Sequence, residues 1–283
     1  IELLVVIVII GSMLGLAVFS MGSAGGIREL RNEAVRLTAV MALQLEAATL
    51  ELITSDDGGG ALHLSSLPTF GAKWLIPRLP QFQLQHPQVT LHFVPYVHSY
   101  NFERPELDCA ILFGDGHWPG AHAHYITGND VALIAPRAKV ADWPIHTPHD
   151  VARHTLLRHV TVPEAWLRWS ETHGVQGSID PLAGPQFDQF QTMIRAVMAG
   201  MGLALVPRCL VQDEIAAGVV REPLADAARR GGYQSDVGYW LCYPEGRMQL
   251  HALQCFRQWV LACAEPVDAM DAAAALQPPA APA

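Results

Sequence analysis

Charge is scarce in this chain. Only 16% of its 283 residues are Asp, Glu, Lys or Arg, against about 25% in typical soluble domains. The 18 Lys and Arg are outnumbered by 27 Asp and Glu, for a net charge of -9. No global basic footprint for nucleic acid follows from that balance. Cysteine is equally sparse. Cys109, Cys209, Cys242, Cys255 and Cys263 are odd in number and form no C-x-x-C pair, which excludes a disulfide-dense scaffold and the common zinc-finger patterns. There is no G-x-S-x-G elbow, no phosphate-binding Walker loop and no H-E-x-x-H helix, so the commonest routes to an enzyme are missing. What the chain has in quantity is apolar surface, 51% of its residues, enough to offset the entropy of ordering a large core.

The apolar residues begin at the front. Leu3 to Phe19 is almost continuously Leu, Val, Ile and Met, and no charge falls between Leu3 and Ile27. A helix crosses a bilayer with about 20 such residues, so residues 1–27 are expected to span a membrane. Glu2 stands directly before the run. A carboxylate at membrane depth is costly unless it is paired, and therefore marks a function. The string Ile1-Glu2-Leu3-Leu4-Val5-Val6-Ile7-Val8-Ile9-Ile10-Gly11 resembles the start of type IV pilins and type II secretion pseudopilins. That resemblance implies a role for Glu2 in subunit pairing, with other pseudopilins as partners. The leader, its cleavage glycine and the Phe-Thr-Leu of that family are not in this sequence.

Leu30, Ala34, Leu37, Met41, Leu45, Ala48 and Leu52 recur every three or four residues, the spacing of one helix face. An amphipathic helix is expected over residues 28–55. Arg31 to Leu37 resembles the helix after the anchor of H-type minor pseudopilins, and a dimerising linker or ordinary packing fits the periodicity as well. Asp56-Asp57-Gly58-Gly59-Gly60 then breaks the helix as a flexible boundary.

From residue 61 to 265 short β-like runs alternate with helical stretches. Strands are expected at 61–66, 89–94, 107–113, 131–135, 155–160, 203–206 and 237–243, with helices at 69–85, 163–173, 190–199 and 249–264. Alternation of this kind predicts an α/β fold with mostly parallel sheets, whose ligands bind beyond the strand C-termini. The tail at 266–283, rich in Ala and Pro, is expected to stay disordered.

Three segments carry a second resemblance. Ser66-Leu67-Pro68-Thr69-Phe70-Gly71-Ala72-Lys73-Trp74-Leu75-Ile76-Pro77-Arg78-Leu79 is similar to the opening of the effector-binding domain of LysR-type transcriptional regulators, in the subfamily of the glycine-cleavage-system activator. Phe113-Gly114-Asp115-Gly116-His117-Trp118-Pro119-Gly120 and the unit from Ala196 to Pro207 follow in that family's order. The resemblance implies two α/β subdomains of the type 2 periplasmic-binding-protein fold, joined by two crossovers. The first would comprise about 61–135 and 232–265, the second about 136–231. It implies a small polar or carboxylate effector between them, a homodimer or larger homo-oligomer, and no enzyme activity. By analogy the effector is met by Ser66, Thr69, Phe70, Gly114, Asp115, Gly116, Thr161, Phe187 and Asp188. Leu112 departs from the Arg that many relatives carry before the glycine loop.

The residue chemistry suits that assignment. Thr69 after Pro68 can cap a helix or offer its hydroxyl to an anion, and both readings are open. Glycines at 114 and 116 let backbone approach a ligand. Their G-x-G is no dinucleotide fingerprint, because Trp118-Pro119 follows where a helix would have to start. His117, His122 and His124 cluster without a Cys or carboxylate set to complete a metal site, so neither metal nor cofactor is expected. Cys109, inside an apolar run, reads as a small buried hydrophobe. The winged helix-turn-helix of the regulator family has no counterpart here, and no direct DNA contact is expected of this sequence. An inner-membrane location follows if the first segment is native to the body, and a cytoplasmic one if it is not. A pseudopilin subunit and a solute-binding protein are the alternatives to the sensor.

Overall fold

In the computed structural model, residues 60–95, 107–137, 144–225 and 231–264 are described. Glu2, the apolar segment 1–27, the striped helix 28–55 and the tail from 266 lie outside the described residues. Strand β1 (Gly60–Ser66) alternates, with Leu62 and Leu64 fully buried on the core side. It runs parallel to β2 (Val89–Phe93) and to β3 (Cys109–Gly114). Next in the sheet is β11 (Gly238–Pro244), antiparallel both to β3 and to β4 (Ala121–Thr127). The first sheet therefore has the order β2-β1-β3-β11-β4.

The second sheet is built from β5 (Asp130–Pro136), β6 (Leu156–His159), β7 (Gln186–Phe187), β8 (Leu203–Pro207) and β10 (Tyr233–Gln234), in the order β10-β5-β8-β6-β7, with β9 (Val220–Arg221) on β5. β6 is parallel to β7 and β8, whereas β5 runs against β8, β9 and β10. The expectation of mostly parallel sheets is thus corrected: both are mixed. The physical reason is the double crossover. β5 enters the second lobe and β11 returns to the first, each against the direction of its neighbours. Membership of β5 in the second sheet also puts the lobe boundary at Gly128-Asn129, where the sequence placed it after 135.

Helix α1 occupies residues 68–85 without a break, and its geometry changes along the way. Pro68–Phe70 is α-helical, Gly71–Leu75 is a π-turn, Ile76–Arg78 is 3-10 and Leu79–Gln85 is α-helical again. Pro77 and Pro80 explain the irregularity, since each lacks the N–H that a regular ladder requires. Helix α2 (Ala165–Thr172) buries Trp166 and Trp169, whose indole N–H groups donate to Leu157 O at 2.8 Å and Gly231 O at 2.7 Å. Helix α3 (Phe190–Met198) buries Phe190, Met193, Ile194, Ala196 and Val197 on one face. Helices α4 (Gln212–Ala216) and α5 (His251–Ala262) complete the described set. One core joins residues of both sheets, from Leu62, Phe70 and Phe256 to Ile134, Met193 and Val206, while a second core around Trp166 and Trp169 belongs to the second lobe.

Strand β4 was not expected. Its sequence, Ala-His-Ala-His-Tyr-Ile-Thr, leaves five residues half-buried and only the last two buried, so it lacks the apolar run that marks the other strands. β7, β9 and β10 are two residues each, too short for a periodic signal.

The link from α3 to β8 shows how local chemistry fixes the second sheet. Gly200 at φ +80° forms a Schellman end, in which its N–H donates to Val197 O at 2.8 Å and that of Met201 donates to Ala196 O at 3.0 Å. Two residues on, a Cβ at Gly202 would lie 2.2 Å from Thr155 O. Replacing Gly202 with Ala should therefore cost about 1–3 kcal/mol, read as a lower melting temperature. Gly246→Ala, whose methyl would meet nothing within 4 Å, should leave melting nearly unchanged. Equal melting of the two variants would refute the close approach.

Candidate functional site

Two strand-to-helix junctions meet where the lobes touch. On the first, Ser66 ends β1, Leu67 is the helix N-cap and Pro68 opens α1. Thr69 lies inside the first turn, so it is not the cap. Its hydroxyl instead reaches across the lobes and accepts the N–H of Gln191 at 3.2 Å. Gln191 sits in the first turn of α3, the corresponding junction of the second lobe. Thr69 is 6% exposed, so this hydroxyl was removed from water to make that bond.

Rings continue the contact. Phe70 stacks on Trp74 and, at 4.2 Å between centroids, on Tyr239. Tyr239 lies against Phe113 at 4.8 Å, Phe113 against Phe190 at 5.9 Å, and Phe190 is stacked on His159 at 3.9 Å with 13° between planes. The column runs from the first lobe into the second. Phe70 is fully buried in it and belongs to the shared core.

His159 ends β6 opposite Phe187 of β7. Its Nδ1 accepts the Thr161 N–H at 3.3 Å and lies 2.7 Å from the Thr161 hydroxyl. Burial lowers its pKa to about 4, with the nearby Asp188 carboxylate working in the opposite direction. Two buried polar atoms here have no hydrogen-bond partner, His159 Nε2 and Gln191 Oε1. Thr161 and Asp188 are exposed and Phe187 is half-buried.

The glycine loop is held from outside. Gly114 O accepts the Trp240 indole N–H at 2.9 Å. Trp118 closes over Gly114 and Trp240 over Gly116, so a Cβ at either glycine would come within 3 Å of a ring. Gly116 also has φ +92°, which an L side chain rarely adopts. Asp115 is exposed and accepts the His117 N–H at 3.0 Å. Its carboxylate has no described contact with the Thr69 cluster. Ser66 donates to Leu67 O at 3.3 Å. Leu112 is 4% exposed, packed with Leu107, Ala110 and Cys242, so no charge stands at that position.

Of the expected residues, the structure brings Thr69 and Phe70 into one cluster with Thr161, Phe187 and Asp188. Sequence reasoning missed His159, Gln191, Phe113, Phe190 and Tyr239 as parts of it. His159 was legible only as one histidine after Leu-Leu-Arg, with no local feature to single it out. A second tie between the lobes is the ion pair of Lys73 on α1 with Glu214 on α4. His122 and His124 lie on β4 against Tyr243, and burial with the nearby Arg257 lowers the His124 pKa. Among the described residues no group of three or more His, Cys, Asp or Glu could hold a metal ion. Cys109 is fully buried, and burial pushes its thiol pKa up.

Comparison with known proteins assigns the fold to one family. The model of the LysR substrate binding domain matches residues 55–264. The transcriptional activator AmpR of Providencia stuartii is 30% identical over 237 residues, covering 82% of this chain and 77% of that protein. The glycine cleavage system transcriptional activator of Escherichia coli K12 is 30% identical over 224 residues, covering 77% and 70%. Among solved structures, the effector domain of the regulator AmpR of Pseudomonas aeruginosa superposes with a TM-score of 0.61 at 29% identity, covering 76% of this chain and 96% of that one. The matched family range starts at residue 55, so Glu2 and the pilin-like segment lie outside it, and the pilin-like anchor and pseudopilin partners gain no support. Among the described residues no helix is long and apolar enough to cross a membrane. These relatives are transcriptional regulators by name. The chain belongs to the LysR substrate-binding-domain family, and its residues 55–264 are the effector-binding domain of a LysR-type transcriptional regulator.

Proposed function

We propose that a small polar or carboxylate effector binds where the two junctions meet, against Thr69, Thr161, the backbone of Gly114 to Gly116, and the edge formed by Phe187 and Asp188. The observation that carries this reading is the bond from the Gln191 N–H to Thr69 Oγ1 across the lobes. A ligand that competes for that hydroxyl changes the contact between the lobes, which gives binding a mechanical consequence. Assembly as a homodimer or larger homo-oligomer is part of the proposal and rests on family membership. Neither the pseudopilin subunit nor the solute-binding protein is favoured by an observation in this structure.

The electrostatics of the junction suit a ligand held by dipoles. With its pKa drawn down to about 4, His159 is neutral at physiological pH, and the bonds on offer come from hydroxyl and N–H groups. Such groups act more strongly when water is excluded. Neutrality has a cost in acid. Below about pH 6.5 the unfolded chain takes up a proton that the folded ring refuses, so stability is full above that pH and falls as pH drops towards 4. For this ring the loss reaches roughly 3 kcal/mol.

Two measurements follow. Melting of the full chain against a panel of amino acids and small organic acids should reveal at least one stabilising compound, by about 2.7 kcal/mol at a hundred times its Kd. Thr69→Val should weaken that compound and lower the ligand-free melting temperature, because the Gln191 N–H loses its acceptor at a cost of about 1–3 kcal/mol. A panel with no stabilising member would sink the effector reading. Separately, His159→Phe keeps a ring on Phe190 and should flatten the fall in melting temperature between pH 6.5 and pH 4. Parallel curves for parent and variant would show that this ring is not the acid-sensitive group.

A further inference from the structure

We propose that His159 reads the effector: its Nε2–H is a fixed, uncharged donor for a carboxylate or carbonyl oxygen of the bound molecule. This rests on the effector site proposed above and specifies its chemistry.

The tautomer follows from the partners of the other nitrogen. A backbone N–H can only donate, and that of Thr161 points at His159 Nδ1. Nδ1 is therefore an acceptor, and in a neutral imidazole the proton then sits on Nε2. The ring cannot readily turn to exchange the two nitrogens. One face lies on Phe190 in a near-parallel stack, and Nδ1 is fixed by both donors of Thr161. Burial keeps the ring from gaining a second proton at neutral pH.

What this arrangement lacks is an acceptor. His159 is 5% exposed and its Nε2 has no hydrogen-bond partner. Buried N–H groups are normally satisfied, as the indoles of Trp166 and Trp169 in the same lobe are, while the adjacent Arg158 Nε and the Trp259 indole in the first lobe are unmet like His159. A histidine kept only for packing has no need of this geometry, since Phe or Leu would fill the place without an unmet donor. Stacked on it, Phe190 is followed in the chain by Gln191, whose Oε1 is likewise buried without a partner. The junction thus offers one unmet donor and one unmet acceptor. The complement of the His159 donor is a small molecule carrying a carboxylate or carbonyl oxygen.

The test uses the full chain labelled with 15N-histidine, observed by long-range 1H–15N correlation, with glycine, acetate and acetamide as probes and methylammonium as the donor-only control. The free protein should show His159 as the Nε2–H tautomer. Glycine, acetate and acetamide at millimolar concentration should move its Nε2 resonance, and methylammonium should not. His159→Phe should weaken glycine and acetate binding roughly 10- to 100-fold, and His159→Gln, which restores an N–H donor, should recover part of the loss even if the Phe variant folds poorly. An Nδ1–H tautomer would overturn the proposal. So would probes that move the Gly114 and Thr161 amides while leaving His159 Nε2 unmoved and binding to the Phe variant intact; in that case the site stands and His159 does not read it. If no probe moves any of these resonances, the effector site itself is wrong for this chemistry, and the role of His159 falls with it.

Discussion

The Ser235 N–H donates to Asn129 O at 2.7 Å, and in that bond the two strands that pass between the lobes are fastened to each other. On one side β10 pairs with β5, and on the other β11 pairs with β4, antiparallel in both cases. The chain therefore crosses twice through what is almost one continuous ribbon. Its tight place is Gly128, at φ +102°, where a Cβ would come within 2.6 Å of the Tyr239 ring. The Asn129 N–H is taken up by the Tyr125 hydroxyl at 3.2 Å. At the entrance to the second lobe, Arg208 donates to Asp130 at 2.6 Å and is also paired with Glu222. With the ribbon fixed in this way, the two sheets can adjust about it but cannot choose new neighbours.

That constraint decides how large a movement the proposed site could drive. Among the described residues, the lobes are tied away from the ribbon by the Thr69–Gln191 bond, the Phe113–Phe190 edge contact and the Lys73–Glu214 pair. The hydrogen bond is worth about 1 kcal/mol net and the aromatic contact about 0.5–1.5 kcal/mol. Effector binding on the scale of a few kcal/mol is enough to rearrange both. It is not enough to separate the core that Leu62, Phe70, Ile134 and Val206 share across the two sheets, where burying each large side chain contributes about 1.5–3 kcal/mol. A ligand at this junction is thus matched to a small rotation or sliding of one lobe on the other, not to a wide opening.

The sequence made some of this visible, and the reasons differ from element to element. The helix over Phe190–Met198 and the strand over Leu203–Pro207 were legible because their apolar spacing and the glycines between them are local facts. The same is true of Cys109, whose place in an apolar run announced its burial. β4 was hidden because its alternate residues are His and Ala, covered by Tyr243 and Trp240 from another part of the chain. The antiparallel ribbon was equally hidden, since the direction of β5 and β11 depends on partners far away in sequence. At the site, Pro68-Thr69 marked a strand-to-helix junction, yet the use of its hydroxyl could not be read there. The cap position fell to Leu67, and the partner of Thr69 is 122 residues away. His159 carries no local signal, because its role depends on Thr161 and Phe190 arriving around it.

Uncharged donors connect these observations, because the histidine at the junction is held neutral. On the proposed reading, a carboxylate placed between the Thr69 hydroxyl and the Nε2–H of His159 would meet oriented donors and no cation. Donors of this kind are directional, so they discriminate by the position of an oxygen more than by net charge. On the proposed reading, the site therefore gives up long-range attraction and gains selectivity for molecules whose acceptor and donor groups fall at the right places.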